Sequence, residues 1–125
     1  MEHFMVTMLA KPGEEGKVAA YYQSIATIIE KAEGFLGRTV MQSNPGSMAK
    51  DVKKRITPEE MAKHPPHDEE HEHSCQFIIH EKWESKEARW NFGSTLPLDR
   101  RTELFPYILD EHTHEYYTDV TNPSK

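Results

Sequence analysis

A histidine-rich, acidic stretch in the middle of the chain is the first candidate for chemistry. Its imidazole and carboxylate groups are ligand types that suit zinc, nickel or copper. Histidine-rich tracts also capture metals by composition alone, without a built site. A solvated surface loop and a lid over a pocket mouth are the other interpretations of so polar a segment. The predicted divalent-metal ligands are His64, His67, His71 and His73, accompanied by Asp68, Glu69, Glu70 and Glu72.

His80 is the second candidate, because a histidine titrates near neutral pH and can transfer a proton to or from a bound substrate. It lies in the segment Cys75–Trp83, whose composition predicts a strand. Alternation along that strand places His80 on the face opposite Phe77 and Ile79. The sequence leaves open whether this face borders a pocket, a subunit interface or solvent.

Three further polar side chains lie on predicted strands. Arg38 is expected to be exposed, since an unpaired guanidinium is costly in an interior, and an inward placement would indicate contact with a substrate anion. Tyr116 and Tyr117 are adjacent and therefore point to opposite faces of their strand, so one of them is expected to be interior.

The composition excludes several classes of protein. The chain has 125 residues, 36% of them hydrophobic, and a formal net charge of -6. The acidic balance argues against a nucleic-acid partner. No apolar run approaches the roughly 20 residues that cross a bilayer, and Met1–Leu9 lacks the pattern of a secretory signal. A cytoplasmic protein without membrane association is therefore expected, with the single Cys75 serving in packing.

The low apolar share is concentrated in one part of the chain. His64–Ser74 has no apolar side chain beyond its prolines, whereas the flanking segments alternate like an ordinary domain. A length of this order fits one domain. We therefore predict a single domain over residues 1–125 that carries a polar, histidine-rich insertion at about residues 47–74.

Hydrophobic periodicity predicts four strands and several helices. A helix begins near Glu14 and ends before Gly34, and a capping box at Thr57 starts a short helix that ends near His64. The pattern in Asp51–Ile56 fits either a sheet extension or irregular structure. Another helix begins at Lys86 and loses definition near Gly93. A further helical segment spans Leu96–Glu111, and Pro106 is expected to kink it or to divide it into two shorter pieces. The predicted strands are His3–Ala10, Phe35–Gln42, Cys75–Trp83 and Thr113–Val120.

The order of these elements is that of the α+β, ferredoxin-like β-α-β-β-α-β fold. A sheet of this kind has helices on one face only, so an apolar second face needs another cover. Apolar residues occur on both faces of Cys75–Trp83. A second copy of the same chain is the simplest cover, and we therefore predict a homodimer.

Two segments carry a resemblance to a known family. They are Glu33–Gly37, with the sequence EGFLG, and Glu81–Ala88, with the sequence EKWESKEA. Together with the opening strand and the long first helix, they resemble the antibiotic biosynthesis monooxygenase domain, a family of dimeric α/β barrels. The resemblance covers most of the chain except roughly residues 47–74.

The resemblance implies a pocket between the sheet and the helices of each subunit. Some members of the family oxidise small phenolic or quinol-like substrates there with O2 and without a metal or bound flavin. Other members degrade haem with an asparagine on the first strand, which His3–Thr7 lacks. The implied function is a cofactor-independent monooxygenase with Trp90, Asn91 and His80 as catalytic residues. The alternative is a non-enzymatic dimer that binds a small ligand, or a metal on the histidine-rich loop.

Overall fold

The chain folds into an antiparallel sheet with two of its helices packed on one side of it. A computed structural model describes residues 1–63 and 74–121. Within those ranges the elements, in chain order, are β1 (Glu2–Ala10), α1 (Glu15–Ile29), β2 (Phe35–Gln42), α2 (Ser47–Arg55), α3 (Pro58–Lys63), β3 (Gln76–Trp83), α4 (Lys86–Thr95), α5 (Leu98–Arg101), a 3-10 turn (Phe105–Tyr107) and β4 (Ile108–Tyr117).

The strands lie in the order β2-β3-β1-β4, and all neighbouring pairs are antiparallel. Along β1 and β3, buried side chains alternate with partly exposed ones, as expected when one face of a sheet meets a core. We call the buried face, which carries Val6, Ile79 and Trp83, the inner face, and the opposite one the outer face. The predicted α+β, ferredoxin-like fold is confirmed.

The core lies between the inner face and the helices α1 and α4. Val18, Ile25 and Ile29 are the buried residues of α1, and Phe92 is that of α4. Ile29 and Phe92 pack together on the fully buried Trp83. Burying one large apolar side chain contributes about 1.5–3 kcal/mol, so these contacts stabilise both helices on the sheet.

The outer face carries apolar side chains that are incompletely covered. Met5 and Ile78 are half-buried, and Met41 is 54% exposed. His80 lies among them, because it is paired with Met5 across the central strands. Among the described residues, no helix is both long and apolar enough to cross a membrane.

Two expectations about helices change. The undecided segment Asp51–Ile56 belongs largely to a helix, α2. The predicted helical segment Leu96–Glu111 is divided into two short pieces, α5 and the 3-10 turn Phe105–Tyr107, and its predicted end is wrong because β4 already begins at Ile108. Pro106 lacks the N–H that a continuing helix needs, and Ile108 instead pairs with Ala10 of β1.

Two expectations about side chains on strands are also wrong. Tyr116 and Tyr117 are 41% and 46% exposed, so neither is interior. They lie near the end of the edge strand β4, where α4 contacts Tyr116 through the exposed Trp90 and through Lys86 without burying it. Arg38 is half-buried on the inner face rather than exposed, and its Nη2 donates a hydrogen bond to the carbonyl oxygen of Tyr22 at 3.0 Å.

Gly34 joins the end of α1 to β2 and touches the start of α4. Its φ of 83° lies in the left-handed region that glycine adopts without steric cost. A Cβ added to Gly34 would lie 2.6 Å from the Cβ of Ala88. The Glu84 N–H donates a hydrogen bond to the Gly34 carbonyl oxygen at 2.8 Å, which fixes the turn against the helix start.

We expect Gly34→Ala to destabilise the protein by about 3 kcal/mol, because it combines left-handed strain with overpacking against Ala88. Gly13→Ala is the matched control, since Gly13 has a φ of 82° but no atom within 4 Å of an added Cβ. The control should lose only about 1 kcal/mol. Urea unfolding measures both values, and equal losses would show that the contact with Ala88 is unimportant.

Candidate functional site

A cavity of about 190 Å³ lies between the inner face and the helices. Its apolar wall includes Val6 and Ile79 from the sheet, Ile25 from α1 and Phe92 from α4. Phe105, which is 64% exposed, marks the side where the cavity opens. Seven polar residues also line it, namely Tyr21, Tyr22, Glu81, Arg89, Arg101, His112 and His114.

Glu81 is the buried charge at the base of this cavity, with 4% of its surface exposed. Its Oε1 accepts a hydrogen bond from Arg89 Nε at 2.7 Å and one from Trp83 Nε1 at 2.9 Å. A buried carboxylate is tolerated only when it is paired and hydrogen-bonded. The pair therefore ties α4, which carries Arg89, to the inner face of β3.

Aromatic rings hold the guanidinium of Arg89 in place. Its central carbon lies 4.8 Å from the ring centre of Phe4 and 5.9 Å from those of Trp83 and Phe92. Such cation–π contacts orient an arginine as well as stabilise it. Gly93, one turn further along α4, leaves room for the side chain, since a Cβ there would lie 3.3 Å from Nη1 of Arg89.

Two tyrosines of α1 contribute hydroxyl groups to the cavity. Burial raises the pKa of Tyr22 well above its ordinary value, and burial also raises the pKa of Tyr21 although Arg100 opposes the shift. Both hydroxyls are therefore protonated at neutral pH. The Tyr22 hydroxyl donates to Sδ of Met8 at 4.0 Å, and a thioether is a weak acceptor. An oxygen atom of a ligand would be a stronger acceptor for either hydroxyl.

Two histidines of β4 line the cavity from its edge strand. Their rings are 5.2 Å apart. His112 Nδ1 lies 3.0 Å from the carbonyl oxygen of Asp110, which can only accept, so Nδ1 carries the proton in neutral His112. Burial, His112 and Arg89 lower the pKa of His114, so its neutral imidazole persists below the ordinary value of 6.5. A neutral imidazole is the form that accepts a proton.

Solved structures share this architecture. A candidate antibiotic biosynthesis monooxygenase from Nitrosomonas europaea matches with a TM-score of 0.65 and 11% identity, over 96% of this chain and 99% of that one. SnoaB, a cofactor-independent oxygenase from Streptomyces nogalater, matches with a TM-score of 0.55 and 14% identity, over 95% of this chain and 93% of that one.

The chain has the antibiotic biosynthesis monooxygenase fold. A candidate monooxygenase from Deinococcus radiodurans is similar as well, with a TM-score of 0.61 and 15% identity over 95% of this chain and 92% of that one. No protein-family model matches the sequence, and no curated protein matches it. At these identities the comparisons confirm the fold that the sequence resemblance indicated, while the chemistry has to be argued from the site.

The monooxygenase fold does not bring the three predicted catalytic residues together. His80 is on the outer face, where its Nε2 lies 2.9 Å from Nδ1 of His3. Trp90 is 56% exposed and donates from Nε1 to the Tyr116 hydroxyl at 2.8 Å. Asn91 lines a separate groove of about 610 Å³ between the end of α1 and α4. Their catalytic roles stay predictions, and the cavity contains other candidates.

Sequence reasoning missed Glu81, although a signal was present. Strand alternation puts Glu81 on the same face as Phe77 and Ile79, and a charge on an apolar strand face indicates a buried, paired group. The pair His112 and His114 had the same kind of signal, since two histidines two residues apart share one face of a strand.

The predicted metal ligands His64, His67, His71 and His73 lie outside the described residues. Within residues 1–63 and 74–121, no group of three or more histidine, cysteine or acidic side chains could hold a metal ion. Metal binding by the histidine-rich stretch therefore stays a prediction. So does the absence of a cofactor, which agrees with the description of SnoaB as cofactor-independent.

We expect Glu81→Ala to destabilise the protein by about 3 kcal/mol or more, because it leaves the Arg89 guanidinium without its buried partner. Glu103→Ala is the matched control, since Glu103 also pairs with an arginine, Arg100, at 2.8 Å but is 41% exposed. An exposed pair contributes about 1 kcal/mol at most. Urea unfolding compares the two losses, and a loss no larger than the control's would contradict the structural role of Glu81.

Proposed function

We propose that this protein is a cofactor-independent oxygenase that acts on a small aromatic or quinol-like compound in the cavity. The observation that carries the proposal is that His114 lines the same cavity as Tyr21 and Tyr22. The lowered pKa of His114 and the raised pKa values of the two tyrosines support a base and two donors there at neutral pH. The similarity in fold to a cofactor-independent oxygenase supports it. The cavity supplies a base, hydrogen-bond donors and an apolar wall within one space.

In the proposed reaction, an oxidisable phenol and O2 give a quinone and water. His114 takes the proton of the phenolic hydroxyl, and the resulting anion supplies the electrons that reduce O2. One oxygen atom enters the ring and the other leaves as water, so the substrate itself is the reductant. Tyr21 and Tyr22 would donate hydrogen bonds to oxygen atoms of the substrate or intermediate, and the apolar wall would exclude competing water.

We also propose that the protein works as a homodimer, with the outer faces of two sheets packed together. The support is the apolar character of that face, where Met5, Ile78 and Met41 remain partly or largely exposed in one chain. Flanking polar groups, including the His3 and His80 pair, would then be enclosed between the subunits. A dimer of this kind covers the side of the sheet opposite the cavity.

Oxygen uptake over a panel of phenols and quinols tests the activity. We expect His114→Ala to reduce the rate about 100-fold or more, the usual effect of removing a general base. His80→Ala discriminates between the two candidate bases, because His80 lies on the outer face. A larger loss with His80→Ala would favour the residue predicted from the sequence, and no uptake with any compound would contradict the proposed activity.

The pH profile provides a second readout of the same base. Protonation of His114 would stop proton abstraction, so the rate should fall as the pH drops through the pKa of that group. Because burial, His112 and Arg89 lower this pKa, the fall should occur below pH 6.5. In His114→Ala the residual rate should lack this step. A step that persists in the variant would assign it to another group.

Light scattering tests the dimer. We expect the mass of two chains at micromolar concentration, and Ile78→Glu should shift it towards one chain because a carboxylate is costly in a closed apolar interface. Ser94→Glu, an exposed position on α4, is the charge-matched control and should leave the mass unchanged. A single-chain mass for the unaltered protein would contradict the proposed assembly.

A further inference from the structure

We infer that the cavity selects a single-ring aromatic acid, whose carboxylate pairs with the free end of the Arg89 guanidinium. This inference deepens the proposed function, on which it rests for the location of the substrate. It adds two restrictions that the fold does not supply, namely the size of the ligand and its charge. Each restriction follows from a different observation.

Cavity volume sets the size restriction. The space is about 190 Å³, and an apolar protein cavity of about 150 Å³ is known to hold one benzene molecule. A single ring with one or two polar substituents therefore fits, whereas fused rings need a larger space. The inner face and α4 limit expansion, because Val6, Ile79 and Phe92 are all buried parts of the core.

Unused donors on Arg89 set the charge restriction. Arginine has five N–H donors, and of those on Arg89 only the Nε–H donates to Glu81. Among the described residues, the hydrogen bond and the ion pair of Arg89 both run through Nε, which leaves the two Nη groups for a ligand. A carboxylate can accept from both Nη groups at once, which is the geometry in which arginine binds carboxylates most strongly.

The charges around the cavity favour the same ligand. Among the described residues that line it, Arg89 and Arg101 carry positive charge, and Glu81 is the acidic partner already bound to Arg89. Arg38 lies beyond the lining on the inner face, and its Nη1 is buried without a partner. A net positive surrounding stabilises an anion and opposes a cation.

The guanidinium is also fixed before a ligand arrives. The Phe4 ring lies 4.8 Å from its central carbon, Glu81 holds Nε, and Gly93 leaves the space that Nη1 occupies. A group held in its binding geometry loses little conformational entropy on binding. This fixed position distinguishes Arg89 from Arg101, which is exposed.

Calorimetric titration of the intact protein tests the inference with three probes. They are 4-hydroxybenzoate, its neutral analogue 4-hydroxybenzamide, and the two-ring anion 6-hydroxy-2-naphthoate. We expect 4-hydroxybenzoate to bind about tenfold or more tightly than either of the others. Equal affinity for the benzamide would overturn the charge restriction, and equal or tighter binding of the naphthoate would overturn the size restriction.

Variants assign the anion preference to Arg89. Arg89→Gln is combined with Glu81→Gln so that neither member of this pair is left as an unpaired charge, and this double variant should bind benzoate and benzamide equally. Lys54→Gln removes one positive charge at an exposed position of α2 and should keep the preference. A preference that survives in the double variant would overturn the assignment.

A milder variant covers the case in which the double variant does not fold. Gly93→Ala places a methyl group 3.3 Å from Nη1 of Arg89 and displaces the guanidinium without removing its charge. It should weaken benzoate binding while leaving benzamide binding unchanged. Equal effects on the two probes would contradict a carboxylate contact with Arg89.

Oxygen uptake measured on the same samples separates this inference from the proposed function. Selective benzoate binding without oxygen uptake from any phenol or quinol would support the inference and contradict the oxygenase. Oxygen uptake from neutral or two-ring compounds, without selective benzoate binding, would support the oxygenase and contradict the inference.

Discussion

The burial of one carboxylate constrains the rest of this structure. Glu81 lies on the inner face of β3 with 4% of its surface exposed, so its charge must be balanced within the fold. Arg89 supplies the balance from α4, and Trp83 supplies a second hydrogen bond from the same strand. The helix is therefore positioned on the sheet by a charge pair as well as by apolar contacts. The same pair places a guanidinium in the cavity, which couples the stability of the fold to the chemistry of the site.

Local patterns in the sequence were sufficient for most of the fold. Alternation of apolar and polar residues predicts β1 and β3, and apolar residues three and four apart predict α1. The capping box at Thr57 marks the start of α3, where the Thr57 hydroxyl accepts a hydrogen bond from the Glu60 N–H. The pattern failed at the end of Leu96–Glu111, where apolar spacing predicted a helix and β4 begins instead. There the pairing of Ile108 with Ala10, a contact between distant parts of the chain, outweighs the local preference.

The candidate site was less predictable, because it depends on which face of the sheet the helices cover. His80 could act as a base, but alternate residues of β3 point to opposite faces, and His80 lies on the outer face beside His3. Glu81, the next residue, faces the cavity. Its partner Arg89 lies on another element, eight residues further along the chain, and no local rule relates the two. The residue types were visible in the sequence, whereas their convergence required the packing of α4 on the inner face.

The contact between Gly34 and Ala88 has a consequence for how sequences with this fold can diverge. The two segments on which the family resemblance rests, Glu33–Gly37 and Glu81–Ala88, are far apart in the chain but adjacent in space. A larger residue at position 34 or at position 88 would crowd the same contact, so the effects of mutations at the two positions are not independent. In evolution, the two segments should therefore behave as one inherited unit, and a lineage that enlarges one side would need a compensating change on the other.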